Sequence, residues 1–287
     1  MTDSPRRRTA VLGSPVAHSL SPVLHGAAYR ELGLTGWRYD RIECDAEALP
    51  ELVAGLGEEW AGLSVTMPGK RAALATAVEA TDRATAVGAA NTLVPLAGGG
   101  WRADCTDVEG ITGALRVAAA YRPAVGDTAL VLGAGGTASA AMVAIADLGI
   151  TSVRLAVRAV ARAGETLAAA ERAGVSVETV GLSEPELAAV AKESAVLVST
   201  VPAGAADSLA AVLAATPHVL DAVYHPWPTP LAEAVAAAGG RLATGLDMLL
   251  HQAFGQVVQF TGLPAPRVAM RDALREATGG EVPLLLD

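Results

Sequence analysis

Residues 128–149 read "TALVLGAGGTASAAMVAIADLG", and this stretch narrows the choice of folds more than any other. Thr128 to Leu132 form an apolar run without polar alternation, the pattern of a strand covered on both faces. Glycines come at once, then small residues suited to a helix, and a second apolar run, "TSVRLAVR" (151–158), begins within about 30 residues of the first. Two such strands need a helical crossover to lie parallel, so the segment is a βαβ unit of the dinucleotide-binding type. Gly133, Gly135 and Gly136, with Ala134 and Thr137 among them, allow a tight turn and bring main-chain amides close to a pyrophosphate. The spacing is G-A-G-G-T-A and not the full G-x-G-x-x-G. On these residues alone a glycine turn without a ligand stays open.

The segment after the second strand bears on the cofactor. Enzymes that bind NAD place an acid near the end of that strand for the ribose 2′-hydroxyl. Here "AVRAVARAGE" carries Arg158 and Arg162 and no acid before Glu165, which suits the 2′-phosphate of NADP. Two solvated cations in a loop are the plainer alternative.

Apolar runs alternate with helix-period segments along the whole chain, the mark of α/β layers with a largely parallel sheet. "TAVLGSP", "WRYDRIEC" and "WAGLSVTMP" read as strands, "SPVLHGAAYRELGL", "LPELVAGL" and "KRAALATAVEA" as helices, and "AANTLVPL" with "GGGWRADCTD" as a hairpin. "RPAVGD" (122–127) is a turn segment that opens the second α/β unit. A length of 287 residues accommodates two domains.

Composition excludes several classes of partner. A net charge of −9 and a pI near 5.1 argue against nucleic acid and anionic membranes. No apolar run approaches the roughly 18 residues a membrane span needs. "MTDSPRRRTAVLGSP" is broken by Gly13, Ser14 and Pro15 too early for a signal peptide, so a cytoplasmic protein is expected. Cys44 and Cys105 stand far apart with no ligand-spaced Cys or His, which gives neither a disulfide framework nor a metal site.

Seven stretches in order resemble the shikimate dehydrogenase family: "GSPVAHSLSPVLHGAAY" (13–29), "SVTMPGK" (64–70), "VGAANTLV" (87–94), "ADCTDVEG" (103–110), "LGAGGTA" (132–138), "DAVYHPWPTPL" (221–231) and "GLDMLLHQAF" (245–254). The resemblance implies reversible NADPH-dependent reduction of 3-dehydroshikimate to shikimate. It also implies an α/β architecture with a substrate domain, 1–106 plus 245–287, and a Rossmann-type NADP domain, 107–244, with the site in the cleft between them. Ser19, Ser21 and Tyr224 would take the shikimate carboxylate, and Thr66, Asn91, Asp107 and Gln252 the hydroxyl side. Ala222, Gly245 and Met248 would join the cofactor contacts. A homodimer is left open.

Residue chemistry meets this resemblance at several points. Ser21 before Pro22 reads as a helix N-cap, with capping and carboxylate binding compatible. Asn91 and Gln252 sit among apolar residues, where an unpaired amide costs about 1 to 3 kcal/mol, so each needs a partner from protein or ligand. Carbonyl reduction needs a positioned proton donor; Lys70, which by itself reads as a solvated residue at a helix start, is the candidate, paired by the resemblance with Asp107, while Asp104 serves the loop. Departures from the family pattern are Ser64 for Asn, Cys105 for Asn, and Val157 and Ala159 flanking Arg158. Asp247 stands where Gly is frequent, and the sequence supplies no role for it. A quinate or aminoshikimate dehydrogenase is the closest alternative, and a non-catalytic NADP-binding regulatory module a more distant one.

Overall fold

Buried parallel strands need cover on both faces, and the chain supplies it twice, in two compact units. The computed structural model describes residues 6–287; the first five residues of "MTDSPRRRTAVLGSP" lie outside the described residues. One unit comprises Met1–Thr106 with Leu249–Leu284, the other Asp107–Met248 with Leu285–Asp287.

The first unit runs β1 (Arg7–Gly13), α1 (Ser21–Glu31), β2 (Trp37–Glu43), α2 (Leu49–Ala54), β3 (Trp60–Val65), α3 (Lys70–Thr76), β4 (Glu79–Ala80), α4 (Asp82–Val87), β5 (Thr92–Pro95) and β6 (Trp101–Asp104). Its sheet has the order β2-β1-β3-β5-β6-β4. The β1, β2 and β3 strands are parallel, and β5 runs antiparallel to both β3 and β6, forming the hairpin expected from 89–107. One expected helix is cut short. The periodicity of "KRAALATAVEA" suggests a single helix, but α3 stops at Thr76 because Ala77 turns extended (ψ 145°) and Glu79–Ala80 pair with β6. Leu12, Leu63 and Leu93, fully buried, share one core with Trp60 and Ala103. Burying each leucine contributes roughly 1.5 to 3 kcal/mol.

The second unit runs α5 (Asp107–Val117), β7 (Thr128–Leu132), α6 (Gly136–Asp147), β8 (Ser152–Ala156), α7 (Gly164–Arg172), β9 (Ser176–Val180), α8 (Glu184–Glu193), β10 (Val196–Ser199), α9 (Ala210–Leu213), β11 (His218–Asp221), α10 (Pro230–Ala237) and β12 (Arg241–Thr244). All six strands are parallel in the order β12-β11-β10-β7-β8-β9. That is the doubly wound order of dinucleotide-binding sheets, which reverses direction between β7 and β10. α11 (Gly245–Thr261) begins in this unit and continues into the first, where α12 (Arg267–Ala277) comes next.

Candidate functional site

In the first unit, the candidate side chains lie where β1, β3 and β5 meet the loops after β1 and β3 and the helix α11. Ser19 lies in the loop before α1, with its carbonyl accepting from Arg41 Nε and Nη2 at 2.9 and 2.6 Å. Ser21 does not cap α1 as its sequence context suggested. The N-cap is Leu20, already helical at φ −91° and ψ 0° and without a side-chain cap bond, so Ser21 occupies the first helical position. Its own N–H donates to Ser19 Oγ at 3.3 Å. Its hydroxyl meets Tyr39. Burial pushes the Tyr39 phenol well above its ordinary pKa, so the group stays protonated and donates to Ser64 Oγ at 2.7 Å.

Thr66 sits immediately after β3, and its N–H donates to the Leu12 carbonyl at 2.8 Å. Lys70 opens α3, partly buried, and its carbonyl accepts from Ala90 N–H at 2.9 Å, which anchors the lysine to the segment carrying Asn91. Asn91 is 2% exposed, so the accounting raised by its sequence context becomes concrete. Its Oδ1 accepts from Thr106 N–H and Thr92 Oγ1, both at 2.8 Å. Its Nδ2 donates to Thr106 Oγ1 at 3.0 Å and to Gln252 Oε1 at 2.9 Å. The last bond joins two of the resembling motifs across 161 residues of chain.

Asp104 serves the loop, as its position suggested, through five donors: Arg83 Nε and Nη2 at 3.0 and 2.5 Å, Thr81 Oγ1 and Cys105 N–H at 2.7 Å, and Gln259 Nε2 at 2.8 Å. Burial alone would raise its pKa, but these bonds and the Arg83 charge outweigh it and hold the carboxyl below its ordinary value. Three residues on, Asp107 opens α5 and is 1% exposed.

The second unit presents the loops at the carboxyl ends of β7, β8, β10 and β11. Gly133 follows β7 at φ +104°, where a Cβ would lie 2.6 Å from Thr200 Oγ1, so only glycine fits. Ala134 is next, partly buried, and Gly135 is the N-cap of α6 without a side-chain cap bond. Gly136 and Thr137 form the first turn of this 12-residue helix, whose amides are the group an anion needs. Arg158 and Arg162 are both exposed after β8, and neither forms an ion pair among the described residues.

After β11, Ala222 N–H donates to the Ser199 carbonyl at 2.9 Å. A Cβ on Gly245 would fall onto the Ala222 carbonyl and lie 3.0 Å from Tyr224 Cδ1, so these three residues form one close-packed corner. Burial raises the Tyr224 phenol, which keeps it a donor. Met248, 6% exposed, lies within the first turn of α11.

Asp247 now has an account. Its Oδ2 accepts from Thr244 N–H at 2.8 Å and Oγ1 at 2.7 Å, while its own N–H meets Thr244 Oγ1 at 3.3 Å. This is a reciprocal capping box at the start of α11, with burial raising the Asp247 carboxyl's pKa. Among the described residues there is no cluster that could hold a metal ion and no helix long and apolar enough to cross a membrane.

Residues 11–93 match the shikimate dehydrogenase substrate binding domain, and residues 245–275 the shikimate 5′-dehydrogenase C-terminal domain. A shikimate dehydrogenase (NADP(+)) of Methylobacterium radiotolerans is 39% identical over 277 residues, 93% of this chain and 96% of that protein. The chain belongs to the shikimate dehydrogenase family. The crystal structure of the Mycobacterium tuberculosis family member is 54% identical with a TM-score of 0.87, covering 94% of this chain and 99% of that one. The Thermus thermophilus member, solved in complex with NADP(H) and shikimate, is 33% identical with a TM-score of 0.79, covering 94% and 99%.

Sequence reasoning passed over Tyr39, Arg41, Thr92, Thr106 and Gln256, all of which hold a residue it had singled out. For all but Thr92 the partner lies at least 15 residues away in sequence. The Thr244-x-x-Asp247 spacing was a usable local signal for the capping box.

Proposed function

We propose that this chain is an NADP-dependent shikimate dehydrogenase that interconverts 3-dehydroshikimate and shikimate for aromatic amino acid biosynthesis. The observation that carries the reading is the Asn91–Gln252 bond at 2.9 Å, which brings two remote polar residues of the family pattern into one face of the first unit. Family membership over 93% of the chain supplies the chemistry to which that face belongs.

The second unit fits NADP in its own geometry. The Gly133 turn leaves no room for a side chain, the α6 amides suit a pyrophosphate, and the exposed Arg158 and Arg162 suit a 2′-phosphate. Gly133 to Thr137, Ala222, Gly245 and Met248 would complete the contacts. Bound NADPH supplies the hydride.

The protein's own side chains do the rest. Lys70 gives a proton to the developing alkoxide, and in the reverse direction takes it back. Asp107, at the head of α5, is the candidate carboxylate for the same reaction. Ser19, Ser21 and Tyr224 are donors suited to a carboxylate, and Thr66, Asn91 and Gln252 to ring hydroxyls. Arg41 holds Ser19 through its carbonyl, so the loop is set before a ligand arrives.

Cys44 and Cys105, both buried, suit a reducing cytoplasm, and sedimentation tests assembly into a homodimer. Initial rates of shikimate oxidation with NADP and NAD, alongside quinate, test the function. Turnover of shikimate with NADP supports it. Preference for quinate, or no oxidation of any cyclohexane acid, rejects it.

A further inference from the structure

We propose that Gln256 is a positioning residue for the hydroxyl-binding face of the first unit, setting through Thr92 and Asn91 which atom Gln252 presents to the ligand. The inference rests on the reading of Gln252 as a substrate residue. Gln256 is 3% exposed and lies one turn beyond Gln252 on α11, so the two share a helix face.

The directions of the hydrogen bonds are set by groups whose role is fixed. A carboxamide offers two N–H donors and an oxygen with two lone pairs. Gln256 Nε2 lies 3.2 Å from the Asn91 main-chain carbonyl, which can only accept, and 3.0 Å from Thr92 Oγ1. Its Oε1 accepts from Ser64 Oγ at 2.8 Å and faces His25 Nε2 at 3.3 Å. Ser64 can give its proton to Gln256 because Tyr39 donates to Ser64. His25 is fully buried and its pKa is pushed down to about 3, so the ring is neutral and Nε2 carries its proton. All four hydrogen-bonding positions of Gln256 are therefore occupied.

Thr92, receiving from Gln256, turns its own proton to Asn91 Oδ1 at 2.8 Å. The Thr106 N–H reaches the same oxygen. With Oδ1 held inward, Asn91 Nδ2 is directed to Gln252 Oε1. Gln252 then turns its other amide edge, Nε2, away from Asn91 as a donor. The side chain is thereby set to read the lone pair of a substrate oxygen, and the setting is shared by the Thr106 main chain and, through Thr92, by the buried Gln256.

The test compares Thr92→Val, Thr92→Ser and Gln256→Glu in the full-length enzyme with shikimate and its monodeoxy analogues. Thr92→Val removes the proton that orients Asn91 with little change of shape, and the shikimate KM rises about five- to tenfold, the scale of one lost hydrogen bond. The NADP KM and kcat change less than about twofold. Thr92→Ser keeps the hydroxyl and recovers the shikimate KM lost in Thr92→Val. Gln256→Glu replaces the donor edge with an acceptor, reverses Thr92 and raises the same KM. For one monodeoxy analogue, the penalty for the missing hydroxyl shrinks in Thr92→Val relative to the unmodified enzyme, which a general loss of stability would not produce. Unaltered shikimate KM in Thr92→Val, or equal rises for shikimate and NADP, overturns the inference; if Gln256→Glu does not fold, the Thr92 pair alone decides. An unmodified enzyme that does not turn over shikimate overturns the functional reading itself.

Discussion

Asp104→Asn tests how the loop leading to Asp107 is held. The side chain is 4% exposed and accepts five hydrogen bonds, two of them from Arg83, whose side chain is 26% exposed. Removing one partner of a buried ion pair costs about 3 to 5 kcal/mol. Arg83 retains some access to water and Asn keeps part of the acceptor set, so we expect a loss at or below the bottom of that range, about 2 to 3 kcal/mol. At about 2 to 4 °C per kcal/mol for domains of this size, the midpoint of thermal unfolding falls by roughly 4 to 12 °C at pH 7. The pH dependence carries the sign. A carboxyl whose folded pKa lies below its unfolded value of about 3.9 stabilises above that value, and the contribution is lost as pH falls through the folded pKa. The gap between parent and variant is therefore constant from pH 7 to about 5 and narrows below about 4. His25, whose lowered pKa also erodes stability on acidification, is present in both proteins and cancels in the difference. Because the Asp104 carbonyl accepts the Asn91 N–H at 3.1 Å, the shikimate KM rises as well. Calorimetry from pH 3 to pH 7 reads the effect, and a midpoint within about one degree of the parent at pH 7 would refute the reasoning.

Three further outcomes are expected. Arg158→Ala removes a charge-assisted contact of roughly 1.5 to 3 kcal/mol, so the NADP KM rises about 10- to 100-fold while the NAD KM stays nearly unchanged; equal changes reject the 2′-phosphate assignment. Lys70→Ala lowers kcat by about 10² to 10⁴ with smaller effects on KM, and a near-normal kcat with hydride transfer shown to be rate-limiting by a deuterium isotope effect would remove Lys70 from proton transfer. Ser21→Ala raises the shikimate KM without the roughly 1 kcal/mol loss of a helix cap, since Leu20 occupies the N-cap; a cap-sized drop in stability would contradict the α1 geometry.

Part of the candidate site was legible as residue types at short spacing, and the rest came through the family resemblance. Gly133 and Arg158 stood out as candidates because a phosphate takes close amides and a cation, whereas Lys70 by itself reads as a solvated residue at a helix start and became a candidate only through the family resemblance. The capping of α1 was misread because Ser before Pro is only a statistical cue, whereas the chain enters the helix one residue earlier, at Leu20.

The sequence by itself determined the two α/β units, the glycine turn and the hairpin, since apolar period, glycine placement and loop length act over a few residues of neighbouring chain. Asp247 belonged to the same local class, three residues from its Thr244 partner. Only the tertiary structure decided which way the buried amides face. Gln256 meets Ser64 across 192 residues and Asn91 meets Gln252 across 161. A carboxamide looks the same in sequence whichever edge it presents, and its direction is set only when a main-chain carbonyl or N–H from another strand occupies one side.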